Sequence, residues 1–291
     1  MKPAAFEYFA PGGVNEAVAL LERYEDEAKI LAGGQSLIPI MNFRLGRPSV
    51  LIDINGIRQL DYIEEKGADL VIGALTRERT VEQSSIIRRR CPLLSAAVSN
   101  IGHVAIRNRG TIGGSLVHAD PSAEIPTALC ALEAEMKAVG PDGERHLTPE
   151  AFFLTYLTTS LEPTEILVEV RIPVPPEGSG WSFQELSRRR GDFAIVAVAS
   201  VLYMDGDKRC REARISLGGV APTPVRAEEA EGIFSGAEIT EVLIEEAGRL
   251  AVEATDAESD YHASAEYRRD MTRVLVKRSL TEAWKRALGG E

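Results

Sequence analysis

Short apolar runs suited to buried strands alternate along this chain with longer stretches whose apolar residues recur three and four apart, as helices require. Near the start, Asn15 is placed to cap an amphipathic run from Glu16 to Tyr24 in which Ala17, Val18 and Leu21 share one face. Lys29 to Ala32 reads as a short strand, Ser36 to Met41 as a brief helix or turn, and Ser49 to Ile54 as a second strand bounded by Pro48 and Asn55-Gly56. Together these make a small αβ unit ending near residue 56.

Tyr62 to Glu64 and Asp69 to Gly73 read as strands paired about the Lys66-Gly67 turn. Thr80 is expected to cap a helix, with Gln83 at the capping-box position, and a second helix is expected over Pro92 to Ile101. Leu116 to Ala119 is short and apolar, and the turn from Asp120 to Pro126 leads into a helix over Thr127 to Leu132. Glu135 to Val139 and Glu144 to Leu147 flank Pro141-Asp142-Gly143, a hairpin signal. Thr148-Pro149-Glu150 opens a helix, and Glu165 to Ile172 alternates as a strand.

Pro173 to Gly180 is rich in chain breakers and marks the expected domain boundary. Beyond it, Trp181 to Leu186, Ala194 to Tyr203 and Glu212 to Gly218 are strand-like, and helices are expected over Arg226 to Ile233, Thr240 to Ala254 and within Ala263 to Leu288. Three strands followed by helices predict a layered α+β domain with a three-stranded sheet. Arg188-Arg189-Arg190, between two of the strands, reads as a solvated turn that could also meet a partner or a phosphate.

At 291 residues the chain is long enough for two domains, each with its own core. The net charge of −11 argues against nucleic acid as a partner, because phosphate backbones are bound through basic residues. No apolar run approaches the roughly 18 residues of a membrane span. The start, Met1 to Glu7, lacks the hydrophobic segment of a signal peptide, so a cytoplasmic protein is expected. Cys91, Cys130 and Cys210 are too far apart to suggest a disulfide framework or a local metal cluster, and each is expected to act as a small buried apolar residue. His103, His118, His146 and His262 show no zinc-ligand spacing and are expected to be structural.

Candidate chemistry lies in two glycine-rich stretches. In Lys29 to Leu37 and in Gly110 to Leu116, a Gly-Gly pair is followed by a small hydroxyl residue, leaving the backbone bare where its N–H groups could face an anion. Two such loops could grip one pyrophosphate, with Ser36 and Thr111 or Ser115 adding hydroxyls. Either loop alone is more often an ordinary turn. Neither matches the Gly-x-Gly-x-x-Gly fingerprint that opens a dinucleotide-binding helix, nor the P-loop, so a Rossmann fold is disfavoured.

Ala32-Gly33-Gly34-Gln35-Ser36-Leu37-Ile38-Pro39, Leu51-Ile52-Asp53-Ile54, Arg109 to Leu116, and His118 to Pro126 occur in that order, followed by Arg189-x-x-Asp192-Phe193-Ala194. The set resembles the FAD-binding medium subunit of molybdenum hydroxylases of the carbon monoxide dehydrogenase and xanthine dehydrogenase type, over roughly residues 4 to 285. The resemblance implies an α+β fold in which a two-subdomain FAD clasp of the vanillyl-alcohol oxidase (PCMH) kind, residues 1–175 with subdomains about 1–56 and 57–175, precedes a C-terminal α+β domain, 176–291. It implies non-covalent FAD held by Ile30, Leu31, Ala32, Gly33, Gly34, Gln35, Ser36, Leu37, Thr111, Gly114 and Ser115. Ile101 and Leu167 would lie against adenine, Glu124 would accept from ribityl or ribose hydroxyls, and Phe193 would lie near the isoalloxazine.

Two positions depart from the family pattern. Glu124 stands where relatives commonly have Asp, and a Lys that reaches the flavin in many relatives is replaced here by Gln184 or Glu185, unless Arg188 or Arg189 substitutes. Loss of that cation is expected to lower the flavin's reduction potential or weaken its binding. The resemblance also implies partners: a small subunit carrying two [2Fe-2S] clusters and a large molybdopterin subunit, as a dimer of heterotrimers. No catalytic side chain and no metal site is expected on this chain. Two other readings stay open at this point, a self-sufficient flavin oxidoreductase of the same superfamily and a flavin-free scaffold.

Overall fold

The computed structural model of the chain describes residues 1–290 and contains three principal β-sheets with helices layered between and beside them. The first sheet is parallel, in the order β1-β3-β2, from β1 (Glu7–Phe9), β2 (Ala28–Leu31) and β3 (Val50–Asp53). Helix α1 (Val14–Tyr24) buries Ala17, Val18 and Leu21 against it. The helix starts before the expected cap: Gly13 is the N-cap and Asn15 lies within the first turn. The Gly13 carbonyl accepts from Ala17 N, and Glu16 folds back to accept from Gly12 N at 2.8 Å, so no Asn15 side-chain cap is made. Between β2 and β3 lie the first glycine loop and the short helix α2 (Leu37–Asn42).

The second sheet is antiparallel, in the order β4-β5-β10-β6-β7. Strands β4 (Ile63–Lys66) and β5 (Asp69–Gly73) form the expected hairpin. A helical run follows: α3 (Glu78–Gln83), α4 (Ser85–Arg90), α5 (Pro92–Val98), α6 (Val104–Arg107), α7 (Ile112–His118) and α8 (Glu124–Ala131). Thr80 does not cap α3. The helix begins two residues earlier, where Glu78 N donates to the Gly110 carbonyl, and Arg77 is its N-cap.

The second glycine stretch is not a loop throughout. Gly113, Gly114 and the apolar residues after them form α7, capped by Thr111 Oγ1, which accepts from Gly114 N at 3.0 Å. Glycine costs about 1 kcal/mol relative to alanine inside a helix. Close packing requires it here, because a Cβ on Gly113 would lie 2.7 Å from that of Ala74. The chain continues through the hairpin β6 (Glu135–Gly140) and β7 (Gly143–Leu147), helix α9 (Pro149–Phe152), the small hairpin β8 (Phe153–Thr155) and β9 (Thr158–Thr159), and β10 (Ile166–Pro173), which returns to the centre of the second sheet.

The third sheet is antiparallel, with long strands β11 (Gly180–Ser187), β12 (Ala194–Met204) and β13 (Cys210–Gly218). A two-residue edge strand, β14 (Val225–Arg226), makes it four-stranded rather than three-stranded. Arg226 therefore belongs to a strand rather than to the start of a helix, with its guanidinium bound by Glu231 at 2.5 and 2.7 Å. Helices α10 (Glu228–Gly232), α11 (Glu241–Leu250) and α12 (Ala265–Ala287) complete the chain.

Strand β12 shows why its sequence is apolar at every position but Ser200, whose hydroxyl accepts from Ser279 Oγ at 2.8 Å. Ala199, Val201 and Tyr203 join the core built on the second sheet and helices α5 and α8, while Val196, Val198 and Leu202 join the core under α11 and α12. A strand with two buried faces has no polar face to alternate.

Candidate cofactor-binding site

The first glycine loop leaves the C-terminal end of β2 and turns into α2. Gly34 sits at φ +72°, a conformation that side chains other than glycine rarely adopt. Among the described residues, the N–H groups of Gly33, Gly34, Gln35, Ser36 and Leu37 donate to no backbone or side-chain acceptor, although neighbouring amides are paired. Such a run of N–H groups pointing out of a tight turn is an anion-binding nest. It opens into a cleft of about 420 Å³ lined by Leu31, Ala32, Gly33, Gly34, Gln35, Ile38, Pro39, Asn42, Asp53, Asn55 and Arg109.

The second stretch differs from the expectation. Ile112 N donates to Thr76 O, Gly113 N to Ala74 O, Gly114 N to Thr111 Oγ1 and Ser115 N to Thr111 O. Its amides are consumed by the fold, so the free amide donors come from the first loop alone. What the second stretch offers is the Ser115 hydroxyl and a close seat for the first loop, since Thr111 is buried and its hydroxyl caps α7. A Cβ on Gly33 would lie 2.5 Å from Arg109 O and 2.9 Å from Gly110 Cα. The two glycine stretches touch backbone to backbone.

Behind Gly110 lies Glu78, a buried carboxyl whose Oε2 has no hydrogen-bond partner; a Cβ on Gly110 would fall 2.3 Å from that oxygen. Burial pushes Glu78 up to about 8. Glu124 opens α8, is 8% exposed, and is likewise pushed up to about 8, by burial first and then by the charge of Glu185. Glu185 is raised to about 7 by burial, and its Oε2 is also unpartnered. These carboxyls hold protons near neutral pH, so each can donate a hydrogen bond as well as accept one.

The register of β11 separates Gln184 from Glu185, the two residues expected where the resemblance places a lysine. Gln184 turns toward α12, donating to Glu282 Oε2 at 2.5 Å and to Ser182 Oγ at 3.3 Å, whereas Glu185 faces Glu124. Arg188 and Arg189 are exposed.

Ile30, Leu31, Ala32 and Leu37 are half-buried around the first loop. Ile101 is half-buried against the second-sheet core, and its segment packs beside the Phe193 loop, since a Cβ on Gly191 would lie 2.6 Å from Gly102 O. Phe193 is 67% exposed. Leu167 is only 4% exposed and belongs to the core, so its side chain is not offered to the cleft. Sequence reasoning passed over Asn55, Arg77, Glu78 and Arg109. Asn55 and Arg109 stood beside recognised signals, a turn and the second glycine pair, whereas Arg77 and Glu78 carried none.

The profile described as the FAD binding domain in molybdopterin dehydrogenase matches residues 4–175, and that of the CO dehydrogenase flavoprotein C-terminal domain matches 181–283. The chain belongs to the FAD-binding medium subunits of molybdenum hydroxylases. This medium subunit is 42% identical to the 6-hydroxypseudooxynicotine dehydrogenase complex subunit alpha of Paenarthrobacter nicotinovorans, over 99% of this chain and 97% of the relative. It is 40% identical to the carbon monoxide dehydrogenase medium chain of Hydrogenophaga pseudoflava, over 98% of this chain and 99% of that one. A solved structure of the Hydrogenophaga pseudoflava carbon monoxide dehydrogenase, lacking the Mo-pyranopterin moiety of its molybdenum cofactor, superposes with a TM-score of 0.96 at 41% identity, covering 98% of this chain and 99% of that one.

The free amides fit a doubly charged diphosphate, and Glu124 and Glu185, raised toward neutral pH, can both donate to and accept from a polyhydroxyl chain, so the residues present fit FAD. Among the described residues no helix is long and apolar enough to cross a membrane, and no group of side chains is arranged to hold a metal ion.

Proposed function

We propose that this medium subunit binds FAD in the cleft beneath the first glycine loop and passes electrons between a partner subunit's [2Fe-2S] clusters and an external acceptor. The observation that carries this reading is the run of unpaired amides from Gly33 to Leu37, seated on Gly110. Each amide bond to a charged oxygen contributes about 1.5–3 kcal/mol, and the fold gives these donors no other acceptor. Thr111, Gly114 and Ser115 border the diphosphate and ribityl chain, Glu124 meets its hydroxyls, Ile101 borders the adenine, and Phe193 covers the isoalloxazine. Residues 1–175 then form the FAD-binding domain and 176–291 the C-terminal domain of the flavoprotein.

When bound, FAD supplies the chemistry, accepting electrons singly and delivering them as a pair. The chain's own residues bind and orient it, and no side chain is required as an acid or base. Cys91, Cys130 and Cys210 are free and buried and stand apart, so they hold no cluster; membership of the family supports a small subunit with the [2Fe-2S] clusters and a large molybdopterin subunit as partners, assembled as a dimer of heterotrimers. The complex works in the cytoplasm.

The test is a visible spectrum of the full chain, and of its assembled complex, after mixing with FAD and gel filtration. A retained flavin band that is lost in Gly34→Val and Gly114→Val supports the reading. Absence of flavin from both the chain and the complex removes it and leaves the scaffold alternative.

A further inference from the structure

One side chain reaches both glycine stretches. Arg77, half-buried just ahead of α3, donates Nη2 to Asn55 Oδ1 at 2.6 Å and Nη1 to the Arg109 carbonyl at 2.5 Å. Asn55 in turn donates Nδ2 to the Ala32 carbonyl at 2.8 Å and to Asp53 Oδ1 at 2.6 Å. Ala32, Asn55, Arg77 and Arg109 therefore form one hydrogen-bonded path from the first stretch to the second. The path closes into a ring through the seat of Gly33 on Gly110.

The charges along this ring are unbalanced. Asp53, in the lining of the cleft, accepts from Tyr8 OH at 2.6 Å on one oxygen and from Asn55 on the other, and its single negative charge is shared between Arg77 and Arg109. Burial first, and then the positive charge of Arg109, lower the Arg77 pKa. Among the described residues neither guanidinium forms a salt bridge. Two guanidiniums without a direct ion pair, their charge offset only at longer range by Asp53 and Asp61, thus stand beside a cleft whose floor is a run of free N–H donors, an arrangement that an anion can join.

We propose that Arg77 is a positioning residue for the cofactor: through Asn55 and the Arg109 carbonyl it fixes the two glycine stretches relative to each other, and with Arg109 it supplies the positive charge that a diphosphate meets. The inference rests on the FAD reading above. The guanidinium reaches Asn55 and the Arg109 carbonyl through two separate nitrogens held in one plane; a lysine keeps the charge but brings one nitrogen to the two acceptors and loses that fork. Asn55→Ala does the reverse, keeping both charges while cutting the path to the first stretch.

The experiment titrates FAD into the full chain, or into the assembled complex if the chain alone releases FAD, at low and high salt. It compares the wild type with Arg77→Gln, Arg77→Lys, Asn55→Ala and the Asn55→Ala/Arg77→Gln double variant. Thermal unfolding without FAD is recorded alongside. The expected result is at least tenfold weaker binding for Arg77→Gln and for Asn55→Ala, no rescue by lysine, and a double variant no weaker than the worse single one. The salt dependence should flatten in Arg77→Gln and persist in Asn55→Ala, a difference that a purely structural role would not produce. Should Arg77→Gln fail to fold, Asn55→Ala still reads the bridge and Arg77→Lys the fork. Wild-type affinity in Asn55→Ala and in either Arg77 variant, or fully additive losses, overturns the inference while leaving the FAD reading intact. Failure of the wild type to bind FAD in both chain and complex strikes the FAD reading instead.

Discussion

Gly33 packs against Gly110 so closely that a Cβ on Gly33 would lie 2.5 Å from the Arg109 carbonyl oxygen and 2.9 Å from Gly110 Cα. The atoms in the way are backbone, so Gly33→Ala must push the two stretches apart. A Cβ on Gly34 would meet only the side chains of Ile38 and Leu31, at 3.1 and 3.2 Å, but the residue sits at φ +72° and alanine there costs about 1–2 kcal/mol. Gly33→Ala is therefore expected to weaken FAD binding at least tenfold and Gly34→Ala less. Gly232→Ala, which meets nothing within 4 Å at the end of α10, should leave binding unchanged. Titration of FAD into the three variants checks the order; equal effects at Gly33 and Gly232 would contradict the close seat.

The buried carboxyls predict a pH dependence of known sign. Glu78 and Glu124 are held at about 8 and Glu185 at about 7, against an ordinary 4.5, so between those limits the folded chain binds more protons than the unfolded one. Their contribution to stability is complete at low pH and is lost as pH rises through the folded values, by up to about 1.4 kcal/mol per pH unit per group. Without FAD, the unfolding temperature should fall between about pH 5.5 and about pH 8.5, and Glu124→Gln should flatten the fall. An unchanged slope in Glu124→Gln would show that this carboxyl holds no proton at neutral pH.

What could be read from the sequence follows from where each signal resides. Strand β12 was legible because burial of both faces makes Ala194 to Met204 apolar apart from Ser200. Helix α7 was not, because glycine disfavours helix locally and only the tertiary contact of Gly113 with Ala74 favours it. The first glycine loop was legible because bare backbone is visible as Gly-Gly, yet that sequence does not say which amides the fold leaves free. In the second stretch they are taken by Ala74, Thr76 and Thr111. Arg77 was illegible: its role lies in two contacts with residues distant in sequence, Asn55 and Arg109. Gln184 and Glu185 became distinguishable only once the faces of β11 were assigned.

A buried ion pair holds the Ile101 segment. Arg107 donates to Glu82 through Nε at 2.9 Å and Nη2 at 3.0 Å, and its Nη1 donates to the Ile101 carbonyl at 2.7 Å. Arg107 is 7% exposed, so Glu82→Ala would leave a guanidinium buried without its partner, a change that typically costs about 3–5 kcal/mol. Replacing both residues together, as Glu82→Leu/Arg107→Met, should cost less than Glu82→Ala alone, because no uncompensated charge remains. Urea unfolding of the two variants decides. A double variant less stable than the single one would mean that the pair's attraction, rather than the orphaned charge, dominates.

Phe193 and Leu167 were both expected beside the cofactor, and the fold gives them opposite exposures, 67% and 4%. Leu167→Ala removes packing from a closed core and should destabilise the chain by about 2–5 kcal/mol, with FAD loss tracking loss of folded protein. Phe193→Ala removes an exposed ring and should shift stability by no more than about 0.5 kcal/mol. If Phe193 covers the isoalloxazine, that variant keeps its unfolding temperature but changes the visible absorbance and circular dichroism of bound flavin, because the ring's surroundings become wetter. Measuring unfolding and flavin spectra on the same samples separates the two residues. A Phe193→Ala protein with wild-type spectra would place the ring away from the flavin and leave it free to contact a partner subunit.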